Sequence, residues 1–395
     1  MNIHLSKRVQ RVKPSPTLLV TARANELKAA GKDIIGLGAG EPDFDTPEHI
    51  KQAAIEAINS GFTKYTAVDG TAELKQAIID KLQRDNQLSY QADQVLVSCG
   101  GKQSFFNLAQ AMLDEGDEVI IPAPYWVSYP DMVLLADATP VIVETSLHQQ
   151  FKMTAEMLEA AITDKTRLVV INSPSNPSGA CYSQAELTAL AAVLEKYPKI
   201  IIASDDMYEH IILGDQPFCN ILMACPALYE RTMVLNGVSK AYSMTGWRIG
   251  YAAGPAPLIK AMKKIQSQST SNPTSISQVA ATTALSGGSE CIDVMLTAFK
   301  ARHNYIVTAL NQIDGVECLP SQGAFYSFPC MQGVIDRMSG INNDVELAEF
   351  LLTKAGIALV PGSAFGSPGY MRLSFATSME NLEKAINRMK SALCV

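Results

Sequence analysis

Long apolar runs are missing from this chain. No stretch approaches the roughly 20 residues that cross a bilayer, and the basic residues Lys7, Arg8, Arg11 and Lys13 are not followed by an apolar signal-type core. A membrane partner is not expected, and the cytoplasm is the expected location. Positive charge is also short, because 32 Lys and Arg face 39 Asp and Glu for a net charge of −7, which argues against a nucleic-acid surface. The cysteines lack pattern. Eight of them, at 99, 181, 219, 225, 291, 318, 330 and 394, form no CxxC and no regular spacing, and the five histidines are scattered. Reduced thiols are expected, with no disulfide framework and no metal site. Repeats, low-complexity tracts and flexible linkers are absent too, while 395 residues with 47% hydrophobic content suffice for two domains and a large core.

What is present is a series of short motifs, several of them directly after strand-like apolar runs. Ser239-Lys240-Ala241-Tyr242-Ser243-Met244-Thr245-Gly246-Trp247-Arg248-Ile249-Gly250 holds one lysine with no further charge until Arg248. An ammonium is not a nucleophile, so a lysine that forms Schiff bases needs burial or a nearby cation to lower its pKa, and this glycine-bounded segment supplies such a place. Residues 201–205 read as a buried parallel strand that ends in Asp205, followed by Tyr208. In open α/β sheets ligands bind beyond the carboxyl ends of strands, where a carboxylate can hold a pyridine nitrogen protonated. The plainer alternative is a helix N-cap, a part that Asp206 also suits.

Asn172-Ser173-Pro174-Ser175-Asn176-Pro177-Ser178-Gly179 follows the apolar strand at 167–171, and its two X-Pro bonds stiffen a turn that either punctuates the chain or fixes an amide against a ligand. Ser98-Cys99-Gly100-Gly101-Lys102-Gln103 joins a strand at 94–97 to a helix at 104–113. Such a turn offers free N–H groups and a positive dipole end to an anion. It is not a Walker A loop, since Leu96 stands at the first glycine position and Gln103 at the Ser/Thr position. Pro122-Ala123-Pro124-Tyr125-Trp126-Val127-Ser128-Tyr129-Pro130 brings the flat side chain of Trp126 after the strand at 118–121, and Tyr370-Met371-Arg372-Leu373-Ser374-Phe375 alternates like a strand around one arginine whose fork suits a carboxylate. Gly36-Leu37-Gly38-Ala39-Gly40-Glu41-Pro42-Asp43-Phe44 places its glycines at every second residue, with none at the third position of a dinucleotide fingerprint.

Taken in order, these motifs closely resemble those of the class I aminotransferases of fold type I, nearest to the bacterial aspartate aminotransferase branch, over about residues 6–393. The resemblance implies pyridoxal 5′-phosphate as cofactor, linked to Lys240 as a Schiff base. Arg248 and the Gly101-Lys102 turn would then hold the phosphate, Asp205 the ring nitrogen, and Tyr208 and Asn176 the phenolic oxygen, with Trp126 stacked on the ring. Arg372, with Asn176, Trp126 and Gly40 nearby, would take the substrate's α-carboxylate, and Lys102 its distal carboxylate, aided by hydroxyls around Ser15 and Thr17 of a neighbouring subunit. Lys64-Tyr65-Thr66 matches a segment in which the tyrosine reaches the neighbour's phosphate, which implies a homodimer with shared active sites. One departure is Gly237, where some relatives carry a phosphate-binding hydroxyl three residues before the lysine.

The fold so implied is α/β: a large domain at 46–280 on a mostly parallel seven-stranded sheet flanked by helices, and a smaller α+β domain from 1–45 and 281–395. The alternation of short apolar strands and helical stretches from about 46 to 280 agrees with a mostly parallel sheet. Helices at 276–285 and 292–310 then precede short strands at 323–328, 357–361 and 371–375. The activity expected is transfer of an amino group between an amino acid, aspartate or glutamate, and a 2-oxo acid, 2-oxoglutarate or oxaloacetate. Prephenate or broad specificity, and a lyase on the same fold, stay open.

Overall fold

The computed structural model describes residues 3–393. Short apolar runs, bounded by glycine, proline or carboxylates, form seven strands of one sheet: β1 (Val95–Ser98), β2 (Glu118–Ala123), β3 (Thr139–Glu144), β4 (Thr166–Asn172), β5 (Ile201–Asp205), β6 (Thr232–Gly237) and β7 (Gly250–Ala253). Their order is β1-β7-β6-β5-β4-β2-β3. Only β7 opposes its neighbours, and all other pairs in this sheet are parallel.

Side-chain alternation sends successive residues of a strand to opposite faces, and both faces here are apolar because helices cover both. Val95, Val97, Val169 and Ile171 pack with helices Glu48–Asn59, Ala72–Asn86, Gln184–Glu195 and Ser275–Ser286. Leu96, Leu168 and Val170 pack with helices Gly101–Met112, Ser128–Leu135 and Ala256–Ser267 on the other side. A further core joins Ile35 and Leu37 to the long helix Glu290–Leu310 and the last helix Met379–Leu393, around a three-stranded antiparallel sheet of Val360–Pro361, Met371–Ser374 and Tyr326–Ser327.

Two expected strands come out shorter. The run at 323–328 keeps only Tyr326–Ser327, since Ala324 takes a left-handed φ of 58° that breaks extension. The run at 357–361 splits because the chain changes partners at Leu359: Ile357–Ala358 pairs in parallel with Ile35–Gly36, and Val360–Pro361 pairs with Met371 and Arg372.

Register positions the site. Asn172 at the end of β4 lies opposite Asp205 at the end of β5, while Gly237, Gly250 and Ser98 lie side by side at the ends of β6, β7 and β1. The strand ends therefore form one ledge, and the segment from Gly38 to Glu41 passes over it.

Candidate active site

Above that ledge lies a cleft of about 390 Å³ whose lining includes Lys240, Arg372, Asp205, Trp126, Gly101 and Lys102. Lys240 follows β6 by three residues. Its Nζ donates to the Gly40 carbonyl and faces the rings of Tyr208 and Phe325 at 5.9 and 6.0 Å. Burial depresses its pKa to about 8, helped by the cations of Arg372 and Arg248 and opposed by Glu41 and Asp205. An amine so placed is neutral in a larger fraction of molecules near neutral pH than an exposed lysine is.

Asp205 accepts hydrogen bonds from the Tyr129 hydroxyl and, at 3.2 Å, from the Met207 amide. Burial raises its pKa against these two bonds and against Lys240. No helix starts here, so neither aspartate is an N-cap: a turn follows, and Asp206 points into the protein, where it accepts from Ser204 Oγ (2.7 Å) and Asn220 Nδ2 (2.8 Å). Tyr208 is buried, and its hydroxyl shares a 2.8 Å hydrogen bond with that of Tyr326.

Asn172, the first residue of the Asn-Pro turn, donates to the Asp205 carbonyl (3.1 Å) and accepts from the Asn176 amide (3.0 Å). The peptide bonds Ser173-Pro174 and Asn176-Pro177 are both cis. Asn176 Oδ1 in turn accepts from Arg372 Nη1 at 2.9 Å, and Arg372 Nη2 donates to the Gly38 carbonyl at 2.6 Å. Arg372 is only 3% exposed, stacks on Tyr326 and Phe365 at 4.6 and 5.0 Å, and leaves its Nε without a partner. No carboxylate pairs with it among the described residues, so its charge has only neutral oxygens as partners. Gly40 lines the same cleft, two residues beyond the Gly38 that Arg372 contacts.

The glycine turn meets Arg248 edge on. A Cβ on Gly100, which has φ +83°, would lie 2.3 Å from Arg248 Nη2, and one on Gly250 would lie 2.2 Å from the Gly101 amide nitrogen. Gly237 has no room either, with Gly250 Cα and the Ile249 carbonyl at 2.9 Å from an added Cβ. Helix Gly101–Met112 therefore points the unpaired amides of its first turn at the cleft, beside an exposed Arg248 held by the Thr245 carbonyl at 2.8 Å. Lys102 Nζ sits 5.3 Å from the centre of the Trp126 ring, and burial together with Arg248 lowers its pKa.

Tyr65 is 92% exposed and does not line the cleft of its own chain. Thr17 corrects an expectation: it lines its own chain's cleft, and Ser15 bonds to it at 2.9 Å, because helix Pro16–Ala29 is anchored by Ala24, Val20 and Leu27 against Ile34 and Ala358 of the same chain. Sequence reasoning missed Tyr129, Asn172 and Tyr326. The first two stand inside motifs already singled out, and Tyr326 had only strand alternation to mark it. The seven cysteines among the described residues are free, and Cys394 lies outside them.

The sequence pattern of the aminotransferase class I and II family matches residues 32–389, and the chain belongs to that family. It is 61% identical to an aspartate/prephenate aminotransferase of Nitrosomonas europaea over 98% of this chain and 99% of the relative, and 54% identical to one of Cereibacter sphaeroides over 98% of each. Among solved structures, an aspartate aminotransferase from Rhizobium meliloti superimposes with a TM-score of 0.96 at 48% identity, covering 99% of both chains. One from Thermus thermophilus with maleate gives 0.93 at 42% identity, covering 99% of this chain and 100% of its own. The protein is an aminotransferase of the aspartate aminotransferase fold.

The depressed amine predicts a labelling experiment. Reductive methylation of the cofactor-free protein, read by peptide mass spectrometry, should reach its half-maximum at Lys240 near pH 8, against about 10.4 for exposed lysines. In Arg372→Met, which removes a neighbouring cation, the Lys240 midpoint should rise. A wild-type midpoint equal to that of surface lysines would refute the electrostatic account of this site.

Proposed function

We propose that the protein transfers amino groups between aspartate or glutamate and 2-oxo acids, with pyridoxal 5′-phosphate held in the cleft. The observation that carries this reading is the convergence of a depressed lysine amine, a strand-end carboxylate and an unpaired buried arginine in one cavity. The donor set fits the cofactor. The amides of Gly101 and Lys102 and the Arg248 guanidinium suit a phosphate, in a cradle that any Cβ at Gly100 or Gly250 would fill. Trp126 offers a flat face, Asp205 an acceptor for a ring N–H, and Tyr208 and Asn176 donors for a ring oxygen.

When bound, pyridoxal phosphate supplies an aldehyde that condenses with amines and a ring that takes up the electron pair left at the substrate's Cα. The chain's own residues do the rest. Arg372 grips the α-carboxylate, exchanging its contacts to Asn176 and Gly38 for a charge-assisted pair. Lys240 Nζ, unprotonated in an appreciable fraction of molecules near neutral pH, takes the proton from Cα as a general base. Asp205, fixed by Tyr129 and the Met207 amide, keeps its ring partner protonated. The N-terminal strap over the cleft limits access of water.

Substrate choice follows from a second cation. Lys102 lies on the Trp126 side of the cleft, with the Thr17 hydroxyl also in the lining, and suits a distal carboxylate. The aspartate aminotransferase from Thermus thermophilus that was solved with maleate, a dicarboxylate, supports this. The names of the Nitrosomonas and Cereibacter relatives favour prephenate as a further substrate, and a flexible ammonium tolerates varied carboxylate positions better than a rigid fork.

A homodimer with shared sites belongs to the same reading. Besides Tyr65, Ile55, Ile58 and Phe62 are exposed at 45%, 50% and 39%, on the outer side of helix Glu48–Asn59 and just beyond it, which is an apolar face suited to a second copy. The division into 46–280 and 1–45 with 281–395 would let the smaller part close over the cleft. A cytoplasmic location suits the free cysteines.

Protein reconstituted with pyridoxal phosphate should convert aspartate only while a 2-oxo acid is consumed, and Lys240→Ala should lower the rate by at least roughly 10²–10⁴-fold, the usual worth of a positioned proton-transfer group. Turnover without the 2-oxo acid would point to a lyase. Lys102→Ala should lower kcat/KM for aspartate by about 1.5–3 kcal/mol and leave alanine nearly unchanged; equal losses on both would place Lys102 at the phosphate instead. Mixing Tyr65→Phe with Lys240→Ala subunits should regenerate one site free of both lesions, with activity above the average of the parents, whereas simple averaging would mean a site built from one chain.

A further inference from the structure

The turn that carries Asp205 and Tyr208 divides its side chains between two environments. Asp205 and Tyr208 line the cleft, and Asp206 and Glu209 are buried on the far side at 2% and 5% exposure. Glu209 is a junction. Its Oε1 accepts from Lys81 Nζ and from Asn236 Nδ2 (2.6 Å), and its Oε2 accepts from Asn86 Nδ2 (2.8 Å). Lys81, 1% exposed on helix Ala72–Asn86, also donates to Asn86 Oδ1 at 2.9 Å. Asn236 is the next-to-last residue of β6, accepts from the Gly237 amide at 2.7 Å, and stands four residues before Lys240. The imidazole of His210 lies 3.5 Å from Glu209 and 3.6 Å from Asp85.

We propose that Glu209 is a positioning residue for the amino-transfer reaction: through Asn236 it holds the exit of β6, which delivers Lys240, in register with the turn that presents Asp205 and Tyr208. The inference rests on the function proposed above. Stability alone is a poor account of this network, because a buried ion pair can be exchanged for apolar side chains of similar volume at little cost or even with a gain. Geometry is what it supplies. Lys240 and the Asp205 turn come from separate strand ends, and reacting groups must be aligned to fractions of an ångström, which backbone pairing between β5 and β6 alone does not guarantee once both strands have ended at Asp205 and Gly237. Burial by itself would raise the Glu209 carboxyl, but the charge of Lys81 and the bonds from Lys81 and Asn86 outweigh it and lower it to about 2, so the acceptor is ionised near neutral pH.

The test uses Glu209→Gln, which keeps shape and removes charge, the pair Lys81→Met with Glu209→Gln, which removes both buried charges, and Asn236→Ala. In reconstituted enzyme, either charge variant should lose about tenfold or more in kcat while KM for aspartate moves by less than about twofold. Adding Asn236→Ala to Glu209→Gln should cost little beyond the larger single loss, as expected for two residues acting as one unit. In the cofactor-free protein the Lys240 labelling midpoint should move from about 8, a readout that does not depend on turnover. Wild-type kcat and an unmoved midpoint in the charge-free pair would overturn the proposal, as would a failure of both charge variants to fold, since Glu209 would then serve the fold alone. If wild-type protein bound no pyridoxal phosphate, the functional reading would fall while the labelling shift still reported on Glu209.

Discussion

Two buried cations in one cleft, neither in direct contact with a carboxylate although Asp205 and Glu41 line the same space, are the constraint on which this structure turns. Lys240 and Arg372 each find a main-chain carbonyl, of Gly40 and Gly38, two residues apart on the same strap. A carbonyl dipole holds a cation in place without cancelling its charge, so both groups keep a charge that burial penalises. Burial above all, with the neighbouring Arg372 and Arg248 outweighing Glu41 and Asp205, keeps the lysine partly neutral. The aromatic faces of Tyr208, Phe325, Tyr326 and Phe365 soften the burial of both groups without removing their charge.

The sheet supplies the remaining parts along one edge. Parallel β4 and β5 finish together at Asn172 and Asp205, β6 runs two residues further to Gly237 because Asp205 lies opposite Leu235, and antiparallel β7 begins beside it at Gly250. Close approach then decides residue identity: Gly250 presses on the Gly101 amide and Gly237 on Gly250 itself, so that the anion-binding turn sits against the ledge with no side chain between. Packing and chemistry share the same atoms here. Leu96 and Val97 belong to opposite cores, and the next four residues lead into the helix whose amides face the cleft.

Much of this was legible in the sequence, for identifiable reasons. Apolar runs of four to seven residues ending in Asp205 or in the Asn-Pro turn can only be strands that deliver those groups to a shared edge, and the single lysine of an uncharged run had to be buried to be useful. What was hidden depends on contacts far apart in the chain. Tyr129 became visible only when its hydroxyl met Asp205, 76 positions away, and Gly38 only when Arg372 reached it across 334. Helix Pro16–Ala29 carries too weak an apolar stripe to announce where it docks, and so the place of Thr17 was misjudged. The Glu209 cluster reads in sequence as ordinary surface charge, since Lys81 and Asn86 lie in a helix otherwise rich in polar residues.

The meeting of the chain's two ends has a consequence for how the protein comes into being. Asp33 is clasped by Arg388, 355 positions later, and Ile35 pairs with Ile357. On a ribosome that adds about 5–20 residues per second, the early segment must wait tens of seconds for the strand and helix it rests on. Through that interval Leu37 and the Gly38 carbonyl lack their partners at Ala358, Ser374 and Arg372. The order of synthesis thus makes the cover of the cleft one of the last native contacts available to the chain.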